Sequence, residues 1–435
     1  MNPNESKNYS DETESSDLLI NNLIYVSPEP LSLAVNRTQV RNYFQRNQYN
    51  AEETAICILN SGTEYIDPCN SYLTFDVKLT GTTENFVGSF GTGSAMNLIR
   101  SIVIRSRSGT EIDRIQNLNI WSRIKTLNTE SMAYLETTGS TEGWLPEYIK
   151  VPSIANESGF LSGDVYVNFV IPLKRLSSFF EPIKQCQLPA AIMSGMQIEL
   201  VFEDVRTAIK ANPSVSPTAQ CTGYTINNIS FLMDSCALTD DTQKTLNSIS
   251  ASQGLELSYP RVYTSINDVS STSNTVSAQV RKAVSNCSYA VAVAIDPTKF
   301  RDIREDSFKC GTSDYSSYQW RIGSLFFPNQ PLTLRTNNAR AQSESFILSK
   351  ACFNKLKNEH MESAISYSIY YSVAGAICSN FERNQALEVC GVPINNSRVL
   401  EFEATYTVAE NRQLYIFMVY NAISRSYLDN TSVGI

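Results

Sequence analysis

The chain of 435 residues contains a single histidine, His360, in the charged stretch 355–361. A serine or cysteine hydrolase needs a base, most often histidine, beside its nucleophile, and no Gly-x-Ser-x-Gly turn occurs in the sequence. One histidine also excludes a histidine-rich zinc site. We therefore interpret His360 as an exposed loop residue without a catalytic role.

Acidic residues around position 300 are a second group whose types could do chemistry. Asp296 precedes a proline, and further carboxylates follow from Asp302 to Asp306. Two carboxylates that face one cleft can hydrolyse a glycosidic bond, which makes Asp302 and Glu305 candidates for such a pair. Carboxylates are common on protein surfaces, so solvated side chains are the simpler interpretation.

The segment 88–93, Gly-Ser-Phe-Gly-Thr-Gly, is rich enough in glycine to be compared with phosphate-binding loops. It lacks both the Gly-x-Gly-x-x-Gly order and the lysine of a Walker motif, so we predict a flexible loop at one end of a sandwich. Arg100, Arg105 and Arg107 lie on or beside the next predicted strand, where a solvated strand face is the simpler interpretation. No residue is thus predicted to be catalytic, to hold a cofactor or to bind a metal.

The composition indicates a folded protein rich in strands. Hydrophobic residues make up 42% of the chain and charged residues 18%, which allows sizeable cores. Tyrosine (22) and phenylalanine (19) are abundant, as they are in sheets. The formal net charge of −8 disfavours a nucleic-acid binder, which usually carries a basic stripe.

The cellular compartment is predicted from the termini and the cysteines. The amino terminus is polar and acidic and lacks the apolar run of a signal peptide, and no stretch has the length and apolarity of a membrane span. The ten cysteines are scattered without a Cys-x-x-Cys pair. We expect synthesis in a cytosol-like compartment, where these cysteines are buried thiols.

Alternation of apolar and polar residues predicts strands in both halves of the chain. Leu73, Phe75 and Val77 alternate with polar residues, the period of a strand with one buried face. The predicted strands are 54–59, 72–79, 98–105, 165–171, 196–203 and 225–233, then 256–266, 275–284, 289–295, 318–327, 363–373, 398–407 and 413–423. Helical spacing predicts short helices at 115–127, 176–183, 239–252 and 343–356.

These elements divide the chain into four parts. We predict a flexible amino-terminal arm over residues 1–48, because it is polar and acidic before a short apolar patch. A first β-sandwich follows over 49–236, a linker helix over 237–254, and a second β-sandwich with a carboxyl-terminal tail over 255–435.

Four short blocks are similar to those of a known family. They are residues 65–73 (Tyr-Ile-Asp-Pro-Cys-Asn-Ser-Tyr-Leu), 97–102 (Asn-Leu-Ile-Arg-Ser-Ile), 109–113 (Gly-Thr-Glu-Ile-Asp) and 320–332 (Trp-Arg-Ile-Gly-Ser-Leu-Phe-Phe-Pro-Asn-Gln-Pro-Leu). Over residues 49–425 the chain resembles the double jelly-roll major capsid proteins, most of all those of polinton-like viruses and virophages. The arm and the segment 131–163 have no counterpart in this resemblance.

The resemblance implies an all-β fold of two tandem eight-stranded antiparallel jelly rolls with short helices in the connections. It also implies a structural, non-enzymatic capsid subunit of the virion. This subunit would trimerise into pseudo-hexameric capsomers and build an icosahedral shell around a DNA genome. The implied partners are other copies of itself, penton proteins, and minor capsid or cement proteins, with no sequence-specific binding of nucleic acid. The arm would reach under the shell to neighbouring trimers or minor proteins.

Two other functions stay open at this point. The first is a two-domain β-sandwich module that binds carbohydrate or protein, since such sandwiches often act by presenting a surface. The second is a β-sandwich glycosidase that uses Asp302 or Glu305.

Overall fold

The structure is a computed structural model of the chain. It describes residues 34–435 except 61, 63, 84–85, 151–158, 182–186, 212–219, 301, 335–341, 354–362, 383–389, 427–430 and 435. His360 and Cys186 therefore lie outside the described residues, as does the arm before residue 34.

The first half contains eleven strands within the described residues. They are β1 (Ala34–Tyr43), β2 (Gln48–Asn50), β3 (Thr54–Ile58), β4 (Tyr65–Thr80), β5 (Gly88–Ser89), β6 (Ile99–Arg105), β7 (Glu111–Gln116), β8 (Val167–Pro172), β9 (Gln197–Phe202), β10 (Lys210–Ala211) and β11 (Gly223–Leu238). One sheet has the order β1-β11-β4-β8, with β2 also on β11, and the facing sheet has the order β3-β9-β6-β7. All these pairs are antiparallel.

The second half repeats this order. Its strands are β12 (Leu255–Val269), β13 (Thr275–Val280), β14 (Val284–Ile295), β15 (Tyr315–Ile322), β16 (Leu325–Thr333), β17 (Ile377–Asn380), β18 (Val392–Ile394), β19 (Leu400–Tyr406), β20 (Arg412–Ser426) and β21 (Thr431–Gly434). The sheets run β12-β20-β14-β17 and β13-β19-β15-β16, with β18 on β14 and β21 on β20. In both halves the first main strand pairs with the last and the second with the seventh, which is the jelly-roll topology. We call the two sandwiches the first roll and the second roll.

Helices are short and lie in the connections. They are α1 (Leu118–Thr129), α2 (Met132–Glu136), α3 (Pro146–Lys150), α4 (Ala190–Met193), α5 (Val205–Ala208), α6 (Asp240–Ser252), α7 (Ser343–Phe353) and α8 (Tyr367–Ser372). Single 3₁₀ turns occupy Ala95–Leu98, Thr138–Glu142, Leu173–Arg175, Ser178–Phe180 and Pro297–Lys299. Helix α6 joins the two rolls.

The strand alternation that the sequence shows places the core between the sheets. In β9, Ile198, Leu200 and Phe202 are buried and their neighbours are half-buried. Each such side chain contributes about 1.5–3 kcal/mol when it leaves water. The same alternation in β19 buries Leu400 and Phe402 in the second roll.

Both rolls point in the same direction. Strands β7 and β12 lie side by side: Tyr259 donates a hydrogen bond to the carbonyl of Ile112, and Thr264 donates one to the carbonyl of Gln116. The residue numbers of both strands increase in the same direction between these two contacts, so the strands are parallel. Each roll begins and ends at one common end, which we call the base, and the turns β13–β14, β15–β16 and β18–β19 lie there in the second roll.

The structure corrects the predicted limit of the arm. Residues 34–43 form β1, which pairs with β11 along its length, so the first roll begins within the stretch assigned to the arm. The signal was weak because β1 carries charged and amide residues on its exposed face, among them Arg37 and Arg41. The predicted linker helix over 237–254 contains α6, although β11 continues to Leu238.

Three local predictions were wrong for identifiable reasons. Residues 363–373 were predicted as a strand from their Ile, Tyr and Val content, but Ser366 caps α8 there by accepting a hydrogen bond from the amide of Ile369. The predicted strand 318–327 is a hairpin, because Gly323 takes the positive φ that its tight turn requires. Residue Ile115 belongs to β7 instead of the helix, which begins at Leu118.

Candidate functional site: the contact between the two rolls

The segment 88–93 lies buried between the two rolls. Its backbone turns at Gly91 with a φ of +57°. The amide of Thr92 donates a hydrogen bond of 3.0 Å to Oδ2 of Asp306, and the Thr92 hydroxyl donates one of 2.5 Å to the same oxygen. The segment lies in the connection between β4 and β6 at one end of the first roll, but its burial and these hydrogen bonds contradict the prediction that it is flexible. Asp306 is 214 residues from Thr92 in the sequence, so no local sequence pattern indicates that the two residues meet.

The guanidinium of Arg123 completes this contact from helix α1. It is 2% exposed and donates from Nη2 to the Thr92 hydroxyl at 2.7 Å and to the carbonyl of Val373 at 3.0 Å. Its Nη1 also lies 3.6 Å from the sulfur of Cys310. One cation of the first roll thus joins two segments of the second roll, directly and through Thr92. A buried charge is tolerated when it is hydrogen-bonded in this way.

A second polar contact lies at β7 and β12. Asp113, fully buried, accepts a hydrogen bond of 2.5 Å from the hydroxyl of Ser177 and faces Nε of Arg261 at 3.4 Å. Arg261 also lies 3.5 Å from Glu111. Loss of water around Asp113 raises the pKa of its carboxyl above the ordinary value, and the charge of Arg261 opposes that rise.

The apolar part of the contact explains an unusual run in β20. Leu414 and Ile416 point into the core of the second roll, whereas Tyr415 and Phe417 belong to the cluster that continues from the first roll. Trp121 of α1 packs against Phe417 with ring centroids 5.4 Å apart. Strand β20 is therefore buried on both faces, and its sequence reads as a continuous hydrophobic run.

The segment 131–163, which has no counterpart in the resemblance, adds a third contact within its described residues. Leu135 and Trp144 from this segment are buried in one cluster with Ile365, Ile369 and other side chains of the second roll. The amide of Ala364 also donates a hydrogen bond of 2.8 Å to the carbonyl of Glu130. Three separate contacts, two polar and one apolar, therefore accompany the shared β20 face.

This arrangement is suited to holding the two rolls in a fixed geometry. Within these contacts Thr92, Arg123, Asp306, Asp113 and Arg261 are buried, and each is hydrogen-bonded or ion-paired to another of them. Fixing the angle between two sandwiches through both apolar and hydrogen-bonded contacts gives a stiff two-domain body.

The carboxylates considered for glycoside hydrolysis have other roles. Asp302 binds Arg304 with contacts of 2.9 and 3.0 Å, and these hydrogen bonds lower the pKa of its carboxyl. A glycosidase acid needs a raised pKa instead. Asp296 caps the 3₁₀ turn that follows it, and Asp306 belongs to the contact between the rolls. The structure thus gives no support to Asp302 as the acid of such a pair.

The arginines beside β6 lie where a wet strand face was predicted. Arg100 and Arg107 are exposed, and Arg105 is half-buried and pairs with Glu199 on the neighbouring strand β9. Within β6 the buried side chains Ile102 and Ile104 alternate with the half-buried Ser101, Val103 and Arg105.

Thiol burial follows the sequence prediction for most of the described cysteines. Cys57, Cys221, Cys236, Cys287, Cys310, Cys352 and Cys378 are buried, whereas Cys69 is exposed. Burial raises the pKa of the Cys57 thiol to about 12, so it is protonated at neutral pH. In the described part of the chain no three acidic, cysteine or histidine side chains are grouped to hold a metal ion, and none of its helices has the length and apolarity to cross a membrane.

Sequence reasoning missed the residues that join the rolls. Arg123 gave a signal that could have been read, since it is a charged residue inside the apolar stripe of a predicted helix, between Trp121 and Ile124. Asp113 lies in strand β7, within one of the four blocks that resemble the known family. In the same strand Ile112 and Ile115 are buried. Charged residues embedded in apolar patterns are the signal that both positions share.

We expect Gly91→Ala to destabilise the protein more than Gly109→Ala does. Both glycines have positive φ, a conformation that costs an alanine about 1–2 kcal/mol. A Cβ on Gly91 would also lie 3.1 Å from the carboxylate of Asp306, whereas nothing lies within 4 Å of one on Gly109. Urea unfolding of both variants should show an extra loss of about 1 kcal/mol or more for Gly91→Ala. Equal losses would contradict close packing of this segment.

The comparison with known proteins rests on structure. No protein-family model and no curated protein matches the chain. VP54 of PBCV-1, in a crystal structure that was fitted into a reconstruction of the virophage Sputnik, is similar with a TM-score of 0.61 and 10% identity over 92% of this chain and 96% of that chain. The Faustovirus major capsid protein gives 0.61 and 8% over 94% of each chain. The mavirus major capsid protein gives 0.52 and 10% over 92% of this chain and 90% of that chain.

At identities of 8–10% the likeness is one of fold, and it extends over nearly the whole length of both proteins in each comparison. The strand orders of the two rolls agree with the fold that the four sequence blocks implied. The chain therefore has the double jelly-roll fold of these viral major capsid proteins.

Proposed function

We propose that this chain is a major capsid protein, the structural subunit of a viral shell. The observation that carries the proposal is the likeness of fold to the Faustovirus major capsid protein over 94% of both chains. A shared active site or a single shared domain would leave large parts of one chain unmatched. Here the match extends over both rolls.

The contact between the rolls supports a load-resisting role. A shell subunit must keep its shape while neighbours pack against its sides, and a flexible hinge between two sandwiches would not allow that. Arg123, Asp306 and the doubly buried strand β20 remove such a hinge. Among the described residues, Asp302, Asp306 and Arg123, whose types could do chemistry, are instead engaged in hydrogen bonds and ion pairs that hold the fold.

The assembly that we propose has three copies per capsomer. Two similar rolls in one chain give six similar sandwiches in a trimer, so a pseudo-hexameric outline follows from the fold and threefold symmetry. Such capsomers would tile an icosahedral shell around a DNA genome, with penton and minor capsid or cement proteins at other positions. In this assembly the subunit has no enzymatic role, and genome contact is left to other components, in keeping with its charge of −8.

We expect the purified protein to form trimers. Light scattering coupled to size-exclusion chromatography should give a mass about three times the 48.5 kDa of the chain, and negative-stain images should show particles of hexagonal outline. A monomer that persists at every protein concentration, with no closed particles, would contradict the proposal. Saturable binding of a defined glycan by that monomer would favour the carbohydrate-binding alternative.

A further inference from the structure

A groove lies at the base of the second roll, between the turn β13–β14 and the turn β18–β19. It has a volume of about 330 Å³. The side chains of Arg281 and Lys282 line one side, and Asn395 and Asn396 line the other. Amide and cationic side chains together are the donors that bind carboxylates in proteins.

The cations of this groove are not neutralised by the part of the chain that the structure describes. Arg281, which is exposed, and Lys282, which is half-buried, line the groove, and the exposed Arg398 lies in the turn β18–β19 beside it. No described carboxylate lies within ion-pair distance of any of the three. Arg321 nearby differs, because it has Glu401 at 3.7 Å. Three cations this close together, with no carboxylate partner among the described residues, stand out on a chain with a net charge of −8.

The complementary charge is present in the amino-terminal sequence. Residues 11–17 read Asp-Glu-Thr-Glu-Ser-Ser-Asp, which gives four carboxylates without a cation between them. This segment precedes β1, whose first residue, Ala34, lies at the base. An extended stretch from Asp17 to Ala34 spans about 55 Å, which exceeds the radius of gyration of about 22 Å for a compact chain of this length. The groove is therefore within its reach.

We propose that the acidic segment 11–17 binds the basic groove lined by Arg281, Lys282, Asn395 and Asn396, with Arg398 beside it in the turn β18–β19. Its carboxylates pair with the three cations, and the groove asparagines donate to its remaining oxygens. Single exposed ion pairs contribute little, but several in one site reinforce each other, and a tether holds the segment at an effective concentration near the millimolar range. The binding does not depend on assembly of a shell.

A zero-length carbodiimide cross-link tests the proposal on the full-length protein. The reagent joins a carboxylate to an amine only where the two are in contact, so mass spectrometry should find Lys282 joined to the segment 11–17. We expect Arg281→Glu with Arg398→Glu to lower the yield of this link at least fivefold, because both variants keep the Lys282 amine but reverse the charge around it. Molar salt should lower it similarly, since it screens charges beyond about 3 Å.

A control and a charge swap make the test specific. Lys309→Glu makes the same kind of charge change at the end opposite the base and should leave the Lys282 link unchanged. In the charge swap the four acids of 11–17 are replaced by lysine and combined with Arg281→Glu, Lys282→Glu and Arg398→Glu. This variant should cross-link again, now between amines in the segment and carboxylates at the groove.

Three results would overturn the proposal. One is a Lys282 link to 11–17 that is no more abundant than a Lys309 link. Another is a link that neither salt nor charge reversal reduces. The third is binding of an oligonucleotide or of phosphatidylserine vesicles, abolished by Arg281→Glu with Arg398→Glu, while Lys282 stays unlinked to 11–17.

Discussion

Arg123→Met should lower the free energy of unfolding by about 2–5 kcal/mol, because each buried polar group that loses its partner costs about 1–3 kcal/mol. The methionine fills a similar volume, so the loss comes from polar groups left without partners. The Val373 carbonyl loses a donor, and the Thr92 hydroxyl, which donates to Asp306, loses another. Guanidinium unfolding followed by tryptophan fluorescence measures the effect.

Arg304→Met is the matched control for this experiment. The Arg304 side chain is 68% exposed and pairs with Asp302 at the surface, so its removal should cost at most about 1 kcal/mol. If Arg123→Met destabilised the protein no more than Arg304→Met does, the contact between the rolls would not depend on the buried guanidinium. Light scattering of both variants also tests whether the proposed trimer needs the intact contact between the rolls.

Arg261→Met should cost a similar amount at neutral pH, about 3–5 kcal/mol, because it leaves the Asp113 carboxylate buried without a cation. In contrast to Arg123→Met, this loss should depend strongly on pH. Desolvation raises the pKa of Asp113, and Arg261 is the main influence that opposes the rise. The variant therefore has a still higher pKa at Asp113 in the folded state.

The sign of the pH dependence follows from linkage. In the unfolded chain Asp113 has its ordinary pKa near about 3.9. Between that value and the raised value, the folded protein binds a proton that the unfolded chain does not bind. The stabilisation from this proton is complete below the ordinary pKa and is lost as the pH rises through the raised one. The deficit of Arg261→Met should thus be largest at neutral pH and shrink on acidification.

Urea unfolding of wild type and variant at a series of pH values from about 4 to 8 measures this deficit. Comparison at each pH cancels the titration of groups that the substitution does not touch. Adding Asp113→Asn to Arg261→Met should recover at least about half of the loss at neutral pH, because a neutral amide needs no cation. A deficit that stays constant across the series would show that Asp113 does not sense Arg261.

Much of the fold could be predicted because strand faces are encoded locally. The alternation at Ile198, Leu200 and Phe202 reports one buried face, and a seven-residue window is enough to read it. The run Leu414–Val419 was also predicted as a strand. Its residues do not alternate between apolar and polar, which is typical of a strand that is buried on both faces. Errors arose where local preference and tertiary context disagree, as in α8, where the Ser366 cap and packing of Ile369 override the strand-like composition.

By itself the sequence determined the all-β class and the division into two sandwiches joined by a helix. These properties depend on residue type and short-range periodicity. Only the tertiary structure decided that Thr92, Arg123 and Asp306 meet, although Arg123 lies 31 residues and Asp306 214 residues from Thr92 along the chain. A hydrogen bond depends on distances in space, and neither spacing nor composition records which distant segments come together. That contact turned a predicted flexible loop into part of the junction that makes two sandwiches one subunit.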